Sequence, residues 1–330
     1  MFVNLLHEHN VYTSLKKTFF FAAKKIGYEL IEVPPTKDNT DIIFKTETNH
    51  LQNMKIDLLP NNIYITNSPI IGIETWRIKI NKNAAFIVEE YYNRQEIKDI
   101  VASSIITFFR EYPFIALTKR TAAYLKNNKI TVHLIPPATK KIKYCKKKKH
   151  ILFQSRLIES KNPLLIVEMA KRMDNENFVI IGRGPLTQRL QKECEKLNNV
   201  EYVPFVDDKK LIEYRANAKL FVHLAKRDPV GFVVIEAMGA AIPIMVSSGT
   251  GASDYVPRDM VVNNLQIDAL VKKAESILNN EKEYSKMTEE AFKKEHLDIN
   301  DPYFYSLAEQ LVSYIKKRWP WLTNKNTRQT

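Results

Sequence analysis

From Ile151 to Leu224 the chain alternates short apolar runs with longer amphipathic ones at a regular interval. Ile151–Ser155, Phe178–Ile181, Val200–Val203 and Leu220–Leu224 read as strands. Pro163–Met173, Leu186–Leu197 and Asp208–Ala216 read as helices, the last with Asp207 as its N-cap. Strands this short and this apolar must be covered on both faces, and a helix between each consecutive pair supplies that cover. The pattern predicts a parallel, doubly wound α/β sheet with ligands at the carboxyl ends of its strands. Three helices follow, over Leu265–Leu278, Glu281–Glu295 and Pro302–Trp319.

The first half repeats the pattern less regularly. Phe2–Leu6, Asp41–Phe44, Ile63–Ile65, Ala84–Val88, Phe114–Thr118 and Thr131–Ile135 read as strands. A basic helix over Tyr12–Ile26 is closed by Gly27, and further helices cover Ile97–Phe109 and Lys119–Asn127. Successive helical residues turn by about 100°, so Phe19, Phe20 and Phe21 cannot all face the core. A chain of 330 residues accommodates two domains, expected at 1–145 and 146–330 around the lysine-rich run Lys140–Lys149.

Charge separates the halves. Residues 1–150 carry 24 Lys+Arg against 13 Asp+Glu, an excess of +11 in a total of +13. That excess suits an anionic partner, whether a membrane surface, an anionic acceptor or nucleic acid. Against nucleic acid, the basic run holds one aromatic, Tyr144, and no recognised binding motif accompanies it. Two cysteines build no disulfide framework, which points to a reducing compartment. The opening MFVNLLHEHN turns polar too early for a signal peptide, and no apolar run reaches the roughly 20 residues of a membrane helix. A cytoplasmic protein is expected, with peripheral contact at a membrane surface open.

The densest chemistry lies in Arg227–Pro243, RDPVGFVVIEAMGAAIP. A polar loop ends at Gly231, and a tightly packed helix is expected from Phe232 with small residues behind it. The first amides of that helix, with Val233 the next residue, would face the loop, where Gly231 lets an anion approach the backbone. Glu236 falls one turn in, a carboxylate in an apolar element, suited to accepting hydroxyl protons. Two further cations follow a strand end, Arg156 and Lys161, a fork and a point charge suited to a diphosphate. Gly182-Arg183-Gly184 is a turn after another strand, a weak signal alone because the dinucleotide fingerprint's third glycine is missing.

Together these segments resemble the retaining, family-4-like glycosyltransferases (glycosyl transferases group 1) of the GT-B fold, two Rossmann-like domains facing across a cleft. Asp228-Pro229-Val230-Gly231 and Glu236 stand where that family has Glu-Pro-Phe-Gly and, four residues on, Glu. Ser155-Arg156 to Lys161-Asn162 resembles its Gly-Arg-x4-Lys-Gly, with both glycines replaced. Gly182-Arg183-Gly184-Pro185, Val203-Pro204-Phe205 and Gly251–Asp254 extend the likeness, and Pro136-Pro137-Ala138 resembles the segment that closes the first domain. The resemblance implies sugar transfer from a nucleotide-diphosphate sugar to an acceptor hydroxyl, with retention and without a metal or resident cofactor. It implies Asp228 at the donor sugar, Glu236 at the ribose, and Gly182, Gly184, Phe205, Gly231, Phe232 and Val233 around the nucleotide. Arg156 and Lys161 would meet the leaving diphosphate. On the acceptor side it points to His9 and Asn10 in the first loop and to Glu89 and Glu90, with Glu89 in a catalytic histidine's place. The last helix would cross back to the first domain. Two other readings stay open: a fold-sharing sugar-nucleotide enzyme such as an epimerase or an inactive binder, and a basic nucleic-acid-binding protein.

Overall fold

The computed structural model describes residues 2–4, 13–27, 30–32, 63–67, 79, 82–89, 99–142 and 149–323. The chain divides into two compact units, Met1–Pro137 with Asp301–Thr330, and Ala138–Asn300.

The first unit opens with β1 (Phe2–Asn4), α1 (Thr13–Lys25), β2 (Leu30–Glu32), β3 (Ile63–Asn67) and β4 (Ala84–Glu89). It continues through α2 (Asp99–Phe108), β5 (Phe114–Ala116), α3 (Lys119–Asn127) and β6 (Val132–Leu134). Among the described residues the strands form one parallel sheet in the order β2-β1-β3-β4-β5-β6. The apolar periodicity locates most of these elements to within two residues. Leu30–Glu32 escapes it because three residues are too few to show a period, and the expected strand at Asp41–Phe44 lies outside the described residues. Gly27, at φ 72°, ends α1 in the left-handed region that a side chain would resist.

The second unit runs β7 (His150–Gln154), α4 (Pro163–Arg172), β8 (Phe178–Ile181), α5 (Thr187–Cys194), β9 (Val200–Val203), α6 (Asp208–Ala216) and β10 (Ala218–His223). Then come α7 (Phe232–Met238), β11 (Ile244–Ser247), β12 (Val261–Val262), α8 (Ile267–Asn279) and α9 (Glu281–Lys294). Asp207 caps α6 as expected, its carboxylate accepting from the Lys210 amide at 2.7 Å. Alternate strand residues serve opposite faces: Ile151, Phe153, Leu220 and Val222 join the core under α4, α5 and α8. Leu152, Phe221, Ile244 and Val246 join the core under α7. Ile244–Ser247 and Val261–Val262 are strands the alternation does not mark, the first hidden in a continuous apolar stretch after α7.

The parallel order is β12-β11-β10-β7-β8-β9. From β7 the chain winds outward through β8 and β9, then returns to place β10 on β7's other side. The direction of winding therefore reverses between β7 and β10, and the crevice at their carboxyl ends is where such sheets take ligands.

Of the run Lys140–Lys149 expected to be a solvated linker, Lys140 and Lys141 are exposed, while the backbone around them is tied into the second unit. The Thr139 amide donates to Leu297 O, Ile299 to Thr139 O and Ile142 to Gly239 O, at 2.8–2.9 Å. Lys141 pairs with Glu289.

After Asn300 the chain forms α10 (Tyr303–Arg318) and α11 (Pro320–Thr323), which count with the first unit. Phe21 stacks on Tyr305 with centroids 3.9 Å apart, and Lys25 pairs with Glu309. Fully buried Phe86 of β4 meets Phe19 at 5.1 Å, Trp319 at 5.6 Å and Tyr314 at 6.0 Å. One ring thus joins sheet, first helix and last helix. Phe86→Ala should cost the first unit about 3–5 kcal/mol, the range for truncating a buried aromatic. None of the three tryptophans falls within Ala138–Asn300, so tryptophan fluorescence in a urea titration reads the shift without signal from the second unit.

Candidate active site at the strand crossover

Two polar clusters meet at the crossover. In the first, Asp228 follows β10, and its backbone is fixed by Asp228 N–H to Gly249 O at 3.0 Å and Gly251 N–H to Asp228 O at 2.8 Å. Its Oδ1 accepts the Gly231 amide at 3.1 Å. Its Oδ2 accepts from His223 Nε2 at 2.9 Å and from Lys161 Nζ at 2.6 Å. Burial alone would raise the Asp228 pKa, but His223 and Lys161 outweigh it and hold the group at about 2. The carboxylate is therefore ionised at neutral pH and can only accept, so His223 Nε2 carries the proton it donates. His223 Nδ1 is buried with no hydrogen-bond partner.

Asp228 thus acts as an anchor. The resemblance aims it at the donor sugar; here both its oxygens already receive protein donors, and what it visibly does is aim Lys161 and close the loop onto Gly231. Gly231 sits at φ 77° as the N-cap of α7, and a Cβ there would overlap the Thr250 methyl. Its own amide, bonded to Asp228, is engaged rather than presented. Phe232 and Val233 begin the helix half-buried, with first-turn amides that have no acceptor within the helix itself.

In the second cluster Glu236 of α7 is ion-paired through Oε2 with Arg215 of α6, and the same guanidinium reaches Gln154 Oε1 at the end of β7. The carboxylate that sequence reading left alone in an apolar helix has a buried cation beneath it and keeps 38% of its side chain exposed.

Arg156 lies two residues beyond Gln154, exposed and with no ion pair among the described residues. The loop carrying it packs on the turn after β8. A Cβ at Gly182 would overlap Ser155 O, and one at Gly184 would collide with the Leu157 carbonyl. Those glycines are thus required by backbone contact between two loops, which the Leu157 N–H to Arg183 O bond at 3.1 Å completes. Asn162 adopts φ 51°, a left-handed position that asparagine tolerates, and its amide donates to Leu224 O at 2.8 Å. A glycine is replaceable here because the side chain both accepts the backbone and ties the loop to β10. Phe205 is 69% exposed beyond β9, with the Arg183 guanidinium 5.6 Å from its ring centre.

The crossover therefore carries Lys161, Asp228 and Gly231 in one cluster and Glu236 in the other, with Arg156 exposed on the loop after β7 and Gly182 and Gly184 shaping the adjoining loop. Glu89 lies in the other unit, fully buried at the end of β4 and paired in register with Ala116. His9, Asn10 and Glu90 lie outside the described residues. Sequence reading missed His223, Arg215 and Gln154. His223 had a signal, a polar residue ending an apolar strand; Arg215 looks like any arginine on a charged helix.

Residues 137–294 match the family described as glycosyl transferases group 1. That segment is similar to a glycosyltransferase group 1 domain. It contains both clusters and every site residue expected in the second half of the chain. An uncharacterised glycosyltransferase of Methanocaldococcus jannaschii is 31% identical over 118 residues, a match spanning 34% of this chain and 30% of that relative. The fold is similar to sucrose-phosphate synthase from Thermosynechococcus elongatus, with TM-score 0.72, 15% identity, and 97% and 98% of the two chains covered. It is similar also to Anabaena HepE in complex with UDP-glucose, with TM-score 0.70, 11% identity, and 95% and 99% covered. These are GT-B glycosyltransferases, and the fold is GT-B.

Asp228→Asn gives a pH test of the anchor. A carboxyl whose pKa falls from 3.8 to about 2 on folding stabilises fully above pH 4 and loses that contribution as pH falls toward 2. The contribution is worth about 2 kcal/mol. Wild type should lose that much more stability than Asp228→Asn between pH 5 and 2 in parallel denaturant titrations; parallel curves would show that the carboxylate is not held by Lys161 and His223.

Proposed function

We propose that the protein transfers a sugar from a nucleotide-diphosphate sugar to an acceptor hydroxyl, with retention of configuration and without a metal. The observation that carries the reading is the placement of Arg156, the Lys161–Asp228 pair and the half-exposed Glu236 at the crossover of a segment similar to a glycosyltransferase group 1 domain. Arg156 and Lys161 would meet charge as it grows on the leaving diphosphate, where an interaction that strengthens toward the transition state acts on rate. Glu236 would take the ribose hydroxyls, and exposed Phe205 offers a ring face beside the base. UDP sugars are the donors to test first, because HepE, a fold neighbour, was solved with UDP and glucose.

The test is incubation of the full chain with UDP-, GDP- and ADP-sugars and an acceptor panel, with and without chelator, reading nucleoside diphosphate release and product anomer. Release that survives chelation, an anomer matching the donor's, and a loss on the order of 10²-fold in kcat for Arg156→Ala are expected. Interconversion of the donor sugar without release would favour an epimerase, and no binding of any nucleotide would remove the reading.

For a partner on the first unit, we propose an anionic lipid surface. Phe20 of α1 is 52% exposed and Tyr305 of α10 is 53% exposed, with Phe21 stacked between the two helices. Lys17 lies 5.7 Å and 5.9 Å from the Phe21 and Tyr305 ring centres, and Lys24 is exposed one turn after Phe20. Rings that bury at a membrane interface beside cations that attract anionic headgroups form a complementary face. Lys25 drops out of it, being paired with Glu309. Among the described residues no helix is long and apolar enough to cross a membrane. The protein should sediment with vesicles containing phosphatidylglycerol, less so in high salt, and Lys17→Gln with Phe20→Ser should abolish this. Equal sedimentation with neutral vesicles, or binding to RNA in their place, would overturn it.

A further inference from the structure

Glu236 presents an electrostatic problem. A carboxylate that reads the ribose stands close to where the donor's diphosphate must lie, and two anions in one partly buried site repel. The positive charge that resolves this comes from beneath the site.

Arg215 occupies the last turn of α6, a helix whose start is fixed by the Asp207 cap. Its side chain is 7% exposed. Nε and Nη2 both donate to Gln154 Oε1, at 3.1 and 2.8 Å, and Nη2 also reaches Glu236 Oε2. Gln154 is held in turn by its register opposite Ile181 in the sheet. The guanidinium is thus fixed by the strand and grips one oxygen of the carboxylate. Burial pushes the Arg215 pKa down while Glu236, and more distantly Asp208, push it up. Those three are the charged groups drawn together here.

We propose that Arg215, oriented by Gln154, is a positioning residue for the donor site: it holds Glu236 Oε2, leaving Oε1 to the ribose, and cancels the charge that would repel the diphosphate. The proposal rests on Glu236 being the ribose contact. A lysine at 215 could keep the charge but not the planar fork that serves Gln154 and Glu236 together.

The test uses the full chain, calorimetric binding of UDP, GDP and ADP, and steady-state kinetics with the donor the wild type accepts. Arg215→Met should weaken nucleotide binding and raise donor KM by on the order of 10- to 100-fold, the scale of one charged hydrogen bond, with a smaller change in kcat. Arg215→Lys should recover part of the loss. Because Arg215 acts through Glu236, adding Arg215→Met to Glu236→Gln should cost little beyond Glu236→Gln alone. If Arg215→Met does not fold, Gln154→Leu reads the same device by releasing the guanidinium, and should raise KM in the same direction. Folded variants at either position that bind nucleotide as wild type does would overturn the proposal, as would full additivity in the double variant. Failure of the ribose reading looks different: Glu236→Gln alone would leave nucleotide affinity unchanged, and the positioning role would fall with it.

Discussion

The second unit depends on how a buried negative charge is satisfied at a strand end. Asp228 is expensive to place beside apolar β10, and it is tolerable because Lys161, His223 and the Gly231 amide converge on it. Each donor comes from a different segment: the loop after β7, β10 itself and the start of α7. One carboxylate therefore fixes a loop, a strand end and a helix start relative to one another, and the crossover acquires a defined shape before any ligand arrives. The Arg215–Glu236 pair repeats the device a few residues away, binding α6, β7 and α7 together.

Architecture was the most legible property of the sequence, because short apolar strands leave so few ways to be covered. Phe178–Ile181, Asp208–Ala216 and the start of α7 at Phe232 were locatable to the residue, with Gly182, the Asp207 cap and Gly231 each marking one edge. The candidate site was legible as a set of residues and illegible as a set of contacts. Arg156, Lys161, Asp228 and Glu236 announce themselves by type and spacing. That Lys161 is engaged by Asp228, and Glu236 by Arg215, depends on pairings 67 and 21 residues apart that no local pattern encodes.

Scarcity of glycine is informative in the same way. The chain keeps Gly182, Gly184 and Gly231, where a Cβ would strike backbone or a neighbouring methyl. At position 162 the left-handed turn is made by an asparagine whose side chain bonds outward to Leu224 O. At Asn162 the geometry permits a side chain, whereas Gly182, Gly184 and Gly231 stand where it does not.

The interrupted first unit has a consequence for how the protein is made. Its β4 ring Phe86 packs on Trp319 and Tyr314, yet those residues are synthesised only after all of Ala138–Asn300. On the ribosome the second unit is complete, and its ends are already joined by the Thr139 to Leu297 and Ile299 bonds, while the first still lacks its closing helix. The sheet synthesised first is thus the one finished last, with an aromatic face uncovered through the production of more than 160 intervening residues. Vectorial synthesis makes that face a natural client for chaperones, and makes the inserted unit the nascent chain's first stable body.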